Sequence, residues 1–200
     1  MIPAPRDARV GVGDGEGADA PAGFVLDDAT HWALAARDGD AVAPAAFVRA
    51  TQAELWRFVA ALVDTNSADD LTQETYLRAF RALPSFEGRA TARTWLLGIA
   101  RRACADHLRT VVRRRELDRR LAAHADAEIG HPDPALHLGA TDLLRRLPDE
   151  RRAAFVLTQV LGLSYAEAAT IEDVPVGTIR SRVARARADL VTAVGEALAS

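Results

Sequence analysis

Residues 164–190 read Ser164-Tyr165-Ala166-Glu167-Ala168-Ala169-Thr170-Ile171-Glu172-Asp173-Val174-Pro175-Val176-Gly177-Thr178-Ile179-Arg180-Ser181-Arg182-Val183-Ala184-Arg185-Ala186-Arg187-Ala188-Asp189-Leu190. The stretch predicts two short helices joined by a tight turn. Gly162 stops the helix before it, because glycine accepts the left-handed end conformation. Ser164 and Glu167 have the spacing of a capping box, each able to satisfy a free amide at the next helix start. Pro175 suits a first helical turn, where its missing N–H costs nothing. In the second helix Val176, Ile179, Val183, Ala186 and Leu190 recur at steps of three and four and share one face. Arg180, Ser181, Ala184, Arg185 and Ala188 fall opposite. A buried stripe therefore backs a face of arginines, a hydroxyl and small residues. That is the pattern of a helix-turn-helix whose second helix enters a DNA major groove. Arginine can bind guanine with two hydrogen bonds, and serine can reach a base or a phosphate. The bland alternative is a solvated arginine face on a helical hairpin.

Outside this stretch the chain keeps to the same class. Its 200 residues suit one or two small domains, and 49% hydrophobic content is ample for a core. Leucine and alanine dominate, and only 6% of residues are aromatic, so an all-α fold is expected. No apolar run is long enough to span a bilayer, and the N-terminus lacks a secretory pattern. The single cysteine, Cys104, excludes an internal disulfide and suits a reducing cytoplasm. The net charge of −3 does not announce a nucleic-acid binder. The total can hide a basic surface, however: residues 1–40 carry three arginines against eight acids, whereas residues 86–120 carry ten against four. The local field, not the total, attracts phosphate. All 25 basic residues are arginine.

Periodicity predicts helices over 27–37, 42–64, 67–82 and 91–112, with Pro84 and Gly88 breaking the last gap. A second helical block covers 139–198, with a helix start at Pro148-Asp149-Glu150. Residues 1–25 have no periodicity and read as a disordered tail. Residues 113–138 are arginine-rich, then small and polar with Pro132 and Pro134, and read as a linker. The expected architecture is thus two small helical domains, 26–112 and 139–198, joined by a flexible linker.

In the first domain Ser67 reads as an N-cap, and Asp70, Gln73, Glu74 and Leu77 cluster on one stripe. That stripe is either dipole compensation with solvation or an acidic and amide patch for a protein partner. On helix 91–112, Leu97, Ala100, Cys104, Leu108 and Val111 form an apolar stripe. Trp95, Arg102, Asp106, Arg109 and Arg113 lie opposite. Aromatic rings stack on exposed bases while arginines follow the backbone, which is how single strands are held. Equally, Trp95 could pack beneath the loop 84–90 with the arginines merely solvated. Cys104 lies on the apolar stripe and reads as core rather than nucleophile. His107, His124, His131 and His137 lack metal-ligand spacing, so neither a metal site nor a cofactor is expected. There is no phosphate loop, nucleophile elbow or supported carboxylate pair, so enzymatic activity and a small-molecule substrate are not expected either.

Taken together these segments resemble the extracytoplasmic-function (ECF) group of bacterial sigma factors, within the sigma-70 family, over about residues 30–195. Asp70-Leu71-Thr72-Gln73-Glu74 is similar to the group's contact with core RNA polymerase. Phe86-Glu87-Gly88 followed by Thr94-Trp95-Leu96-Leu97-Gly98-Ile99-Ala100-Arg101 is similar to its promoter-melting helix. The helix-turn-helix is similar to the domain that reads the upstream promoter element. The wording of several segments is most similar to the SigC-like branch of actinobacteria. The resemblance implies that Asp70, Gln73 and Glu74 contact the clamp helices of the largest polymerase subunit. It implies that Phe86, Trp95, Arg102, Asp106, Arg109 and Arg113 bind and melt the −10 element. The loop Ser85 to Ala90 would frame a flipped base. Thr178, Arg180, Ser181, Arg182, Ala184, Arg185 and Arg187 would bind duplex at the −35 element, on a domain that also docks on the flap of the second-largest subunit. The intermediate domain of larger sigma-70 proteins has no counterpart here. Arg102 stands where relatives often place an amide, which leaves the −10 preference open. An anti-sigma factor is a further partner the resemblance allows. The competing reading is a stand-alone helix-turn-helix regulator that binds operator duplex without polymerase. It leaves the Asp70–Glu74 patch and Trp95 without a role. A helical protein-interaction module with incidental arginines is the other alternative.

Overall fold

A computed structural model describes residues 27–122 and 140–199. The tail and most of the expected linker lie outside the described residues. What is described is helical, in two units. The first contains α1 (Asp28–Arg37), α2 (Ala43–Leu62), α3 (Thr65–Ala82), a short 3-10 turn (Leu83–Ser85) and α4 (Ala92–Ala122). The second contains α5 (Ala140–Arg145), α6 (Asp149–Phe155), α7 (Tyr165–Glu172) and α8 (Val176–Ala199).

Local chemistry accounts for the element ends. Asp27 caps α1, accepting from Thr30 N at 2.6 Å. The Thr30 hydroxyl in turn accepts from Ala92 N at 2.8 Å, so α1 caps the buried start of α4. The cap of α3 is Asp64, not Ser67: the Asp64 carboxylate accepts from Ser67 N at 2.9 Å. A carboxylate three residues before a free amide also matches the helix dipole, which a serine hydroxyl does not. The helix expected to end at 112 continues to Ala122, through what reads as the start of the linker. Glu116 pairs with Arg119 at 2.8 Å and Arg120 at 3.0 Å, spacings that support an exposed helix with no apolar stripe.

Between α6 and α7 the chain passes through a π-helical segment, Val156–Val160, closed by Leu161 N to Val156 O at 2.9 Å. Gly162 then takes φ of +71°, the left-handed turn expected of it. The capping box of Ser164 and Glu167 is formed. Asp173 ends α7 in the left-handed conformation, φ 54°. Its short polar side chain tolerates that region better than most.

The two units dock. Phe47, Leu55, Phe58, Leu96, Leu97 and Cys104 of the first share one buried cluster with Ala153, Leu157, Leu163, Ala168, Ile179 and Val183 of the second. Helix α7 lies against α4, and α6 against α2. Arginines seal the seam. Buried Arg152 donates to Leu62 O at 3.0 Å, at the C-terminus of α2, and to Leu147 O at 3.2 Å. Arg93 donates to Leu161 O at 2.7 Å and pairs with Glu54. Cations at helix C-termini satisfy orphan carbonyls and oppose the dipole. Burial lowers the Arg152 guanidinium pKa from its ordinary value.

Candidate nucleic-acid interface

The expected reading face of α8 is formed. Ile179, Val183 and Ala186 are buried, while Arg180, Ser181, Ala184, Arg185 and Ala188 are exposed. Pro175 sits immediately before the first helical residue, its carbonyl accepting from Thr178 N at 2.8 Å. The Ser181 hydroxyl donates to Thr178 O at 2.9 Å, so it is held along the helix. Arg180 and Arg185 form no hydrogen bond or ion pair with the described residues. Two unpaired guanidiniums on small-residue ground are what a groove-reading helix needs.

The flanking arginines are engaged. Arg187 donates to Gln159 Oε1 at 2.6 Å. Arg182 pairs with Glu150 at 2.6 Å and with Glu172 at 3.3 Å. The Glu172 side chain is only 2% exposed and also holds Arg101 of α4 at 2.6 Å. One buried carboxylate thus joins the recognition helix to the first unit.

The polar face of α4 carries Arg102, Arg109 and Arg113, all exposed, with Asp106 half-buried. Arg102 and Arg113 are free of ion pairs with the described residues. Asp106 is shared between Arg109 of its own helix and Arg78 of α3. Trp95 is half-buried, its ring 4.8 Å from that of Phe86. Trp95 thus packs against the loop, as one of its two readings has it, and remains partly exposed. Phe86 is 5% exposed and backs Trp95. Residues Ser85 to Ala90 and Trp95 enclose a concavity of about 180 Å³. Gly88 shapes it with φ of +71°, a conformation that strains any residue with a Cβ.

On α3, Leu71, Thr75 and Ala79 are buried and Asp70, Gln73 and Glu74 exposed, together with Leu77 at 58%. Trp56 of α2 is also exposed, its indole donating to Asp69 at 2.7 Å. Sequence reasoning did not flag Trp56, Glu54, Arg93, Arg152 or Glu172. Arg93 and Arg101 are about two turns apart on one α4 face, a signal that was available. Their partners lie far along the chain and were not.

Cys104 is buried, and burial pushes its thiol up to about 12. Among the described residues no His, Cys, Asp and Glu cluster suits a metal ion, and no helix is long and apolar enough to cross a membrane.

Two family descriptions match the chain: Sigma-70 region 2 over residues 47–115, and Sigma-70, region 4 over residues 138–190. The ECF RNA polymerase sigma factor SigC of Mycobacterium tuberculosis is 50% identical over 162 residues, covering 79% of this chain and 86% of that protein. The RNA polymerase sigma-H factor of Pseudomonas aeruginosa is 37% identical over 139 residues, covering 62% and 71%. Among solved structures, CnrH in complex with the cytosolic domain of CnrY aligns with TM-score 0.66 and 25% identity, covering 85% of this chain and 99% of that one. RpoE in complex with the anti-sigma factor NepR from Bartonella quintana aligns with TM-score 0.55 and 29% identity, covering 72% and 91%. Both matched regions lie where the two helical units are, the arginine face of α4 falls in region 2 and the helix-turn-helix in region 4, so the chain belongs to the ECF group of sigma-70 family RNA polymerase sigma factors.

Proposed function

We propose that this chain directs core RNA polymerase to promoters by gripping DNA at two places. The observation that carries the reading is the α8 face, where Arg180 and Arg185 stand exposed and unpaired over a buried stripe. That face takes the −35 element as duplex, with Ser181 and Ala184 between the arginines. Thr178, Arg182 and Arg187 lie at the phosphates. The α4 face takes the −10 element, with Arg102, Asp106 and Arg109 toward bases and Arg113 toward the backbone. Trp95 stacks at the edge of the opened bubble, and the concavity of residues 85–90 receives a base turned out of the stack. Unstacking costs a few kcal/mol. Free arginines and a half-exposed indole offset that cost without any chemistry by this chain.

Polymerase contact falls to Asp70, Gln73 and Glu74, flanked by exposed Leu77 and Trp56. An anti-sigma partner of the kind named in the Bartonella quintana complex would compete for such surfaces. The setting is cytoplasmic, where polymerase and promoters are.

The experiment is transcription in vitro from a promoter library with core polymerase and the full chain. Initiation above core alone is expected on a subset of promoters. Failure on every promoter would sink the reading. Specific duplex binding by the chain alone, unaffected by polymerase, would favour the stand-alone regulator. Arg180→Ala and Arg185→Ala should each weaken −35 dependence by about 1–3 kcal/mol and leave polymerase affinity unchanged. Replacing Asp70 and Glu74 with lysine should abolish polymerase binding while the helical content persists.

A further inference from the structure

One side chain joins the polymerase-facing side of α3 to the DNA-facing side of α4. Arg78 lies one turn beyond Glu74 and donates to its Oε1 from Nε at 3.1 Å and from Nη2 at 2.5 Å. Its Nη1 crosses to α4 and donates to Asp106 Oδ2 at 3.2 Å. The other oxygen of Asp106 accepts from Arg109. Asp106 is therefore held from both sides, once by its own helix and once by a neighbour. A lone carboxylate on an open helix face would exchange rotamers freely. Two guanidiniums on separate elements restrict it. Only arginine can serve both carboxylates, because its planar fork presents donors in fixed directions where lysine offers a single point charge.

We propose that Arg78 is a positioning residue for −10 reading: it fixes the Asp106–Arg109 pair and couples it to the Glu74 end of the polymerase contact. This rests on the functional reading above. When polymerase engages Glu74, the two donors now spent there are freed and Arg78 settles on Asp106. Discrimination among −10 sequences then sharpens in the holoenzyme. The pairs are part-exposed, with side-chain exposure of 37% at Arg78 and 48% at Asp106. The effect is accordingly modest, roughly two- to fivefold per discriminated base.

The test uses holoenzyme assembled from core polymerase and the full chain, on promoters differing singly within the −10 or the −35 element. Core affinity is measured in parallel by competition. Arg78→Gln should compress the differences among −10 variants roughly two- to fivefold. The affected positions should be those that Asp106→Ala affects, and the double variant should add nothing. Arg78→Lys should recover part of the lost discrimination. The ranking of −35 variants should stay as in the parent, and core affinity should hold or rise slightly, because Glu74 loses a competing partner. An even loss on all promoters would overturn the proposal and make Arg78 a phosphate or folding contact. Lost core affinity with intact −10 ranking would also overturn it, by placing Arg78 inside the polymerase contact. Unchanged ranking would do the same. Failure of the parent chain to fire any promoter would instead defeat the functional reading itself.

Discussion

Replacing Arg101 by alanine removes one of the two cations around the most buried carboxylate at the seam. Glu172 has a side-chain exposure of 2%, and Arg101 and Arg182 are at 16% and 17%. The Arg101 contact is the shorter, 2.6 Å against 3.3 Å. Stripping a partner from a buried pair typically costs about 3–5 kcal/mol, chiefly because a charge is left desolvated. Arg182 remains, so the lower end applies, about 3 kcal/mol. That is a large share of the roughly 5–15 kcal/mol that holds a domain together. Glu172→Gln should cost less than Arg101→Ala, since it removes the buried charge and leaves two arginines with some access to water. Urea unfolding of the parent, both single variants and the double would measure this. The double should fall short of the sum by about 1–2 kcal/mol, the coupling of residues in contact. Small-angle scattering should show Arg101→Ala expanded under native conditions, because the pair spans the two units. An Arg101→Ala variant within about 0.5 kcal/mol of the parent, with no coupling to Glu172, would refute the argument that this carboxylate is held by the seam.

Three further outcomes follow from local geometry. Ser164→Ala should cost about 1 kcal/mol in thermal or urea unfolding, since it opens a formed capping box, and a loss below a few tenths would contradict the assignment. Gly162→Ala should destabilise by about 1–2 kcal/mol although nothing lies within 4 Å of the added Cβ, because the strain is wholly in the backbone at φ +71°. Cys104 should resist thiol reagents at pH 8 in the folded chain: with its thiol raised to about 12, thiolate is scarce well below that value, and burial blocks access. Labelling as fast as in urea would show the first unit opening readily.

The parts legible in the sequence are those governed by short spacings. The apolar stripe and arginine face of α8, the capping box and the Gly162 turn all follow from residues within a few positions of each other. So does the burial of Leu97, Ala100 and Cys104 on α4. Two local readings went astray for equally local reasons. Ser67 looked like a cap because serine commonly is one, but Asp64 stood three residues earlier with a better charge for the site. The α4 extension past 112 lacked an apolar stripe and so gave no periodic signal, although Glu116 and its arginines support it. What could not be read was the seam. Glu172 looks like an ordinary surface acid near a helix end. Its burial depends on Arg101, 71 positions away in sequence. The link from Arg78 to Asp106, 28 positions apart, is hidden in the same way.

The seam bears on how the two grips can act together. The −35 and −10 elements are nominally about 25 base pairs apart, or roughly 85 Å at about 3.4 Å per pair. A compact body the size of the 156 described residues has a radius of gyration of about 15 Å, hence a diameter near 40 Å. If the two faces take the two elements as proposed, the docked arrangement is too short to hold both at once, and the α4–α7 contact parts when both are bound. The residues proposed to read them, Arg102, Arg180 and Arg185, are exposed while docked, which leaves each proposed face open by itself. What docking withholds is simultaneous engagement and the Arg182 guanidinium, which Glu172 and Glu150 occupy. Loosening the seam should then act in opposite directions on two measurements. Arg101→Ala should lower the stability of the free chain and raise the rate at which holoenzyme forms two-element promoter complexes at limiting sigma factor. Promoters carrying a −10 element alone should gain nothing. Equal gains on both templates would show that the variant acts through polymerase assembly, and no gain on either would show that undocking is not what limits the grip.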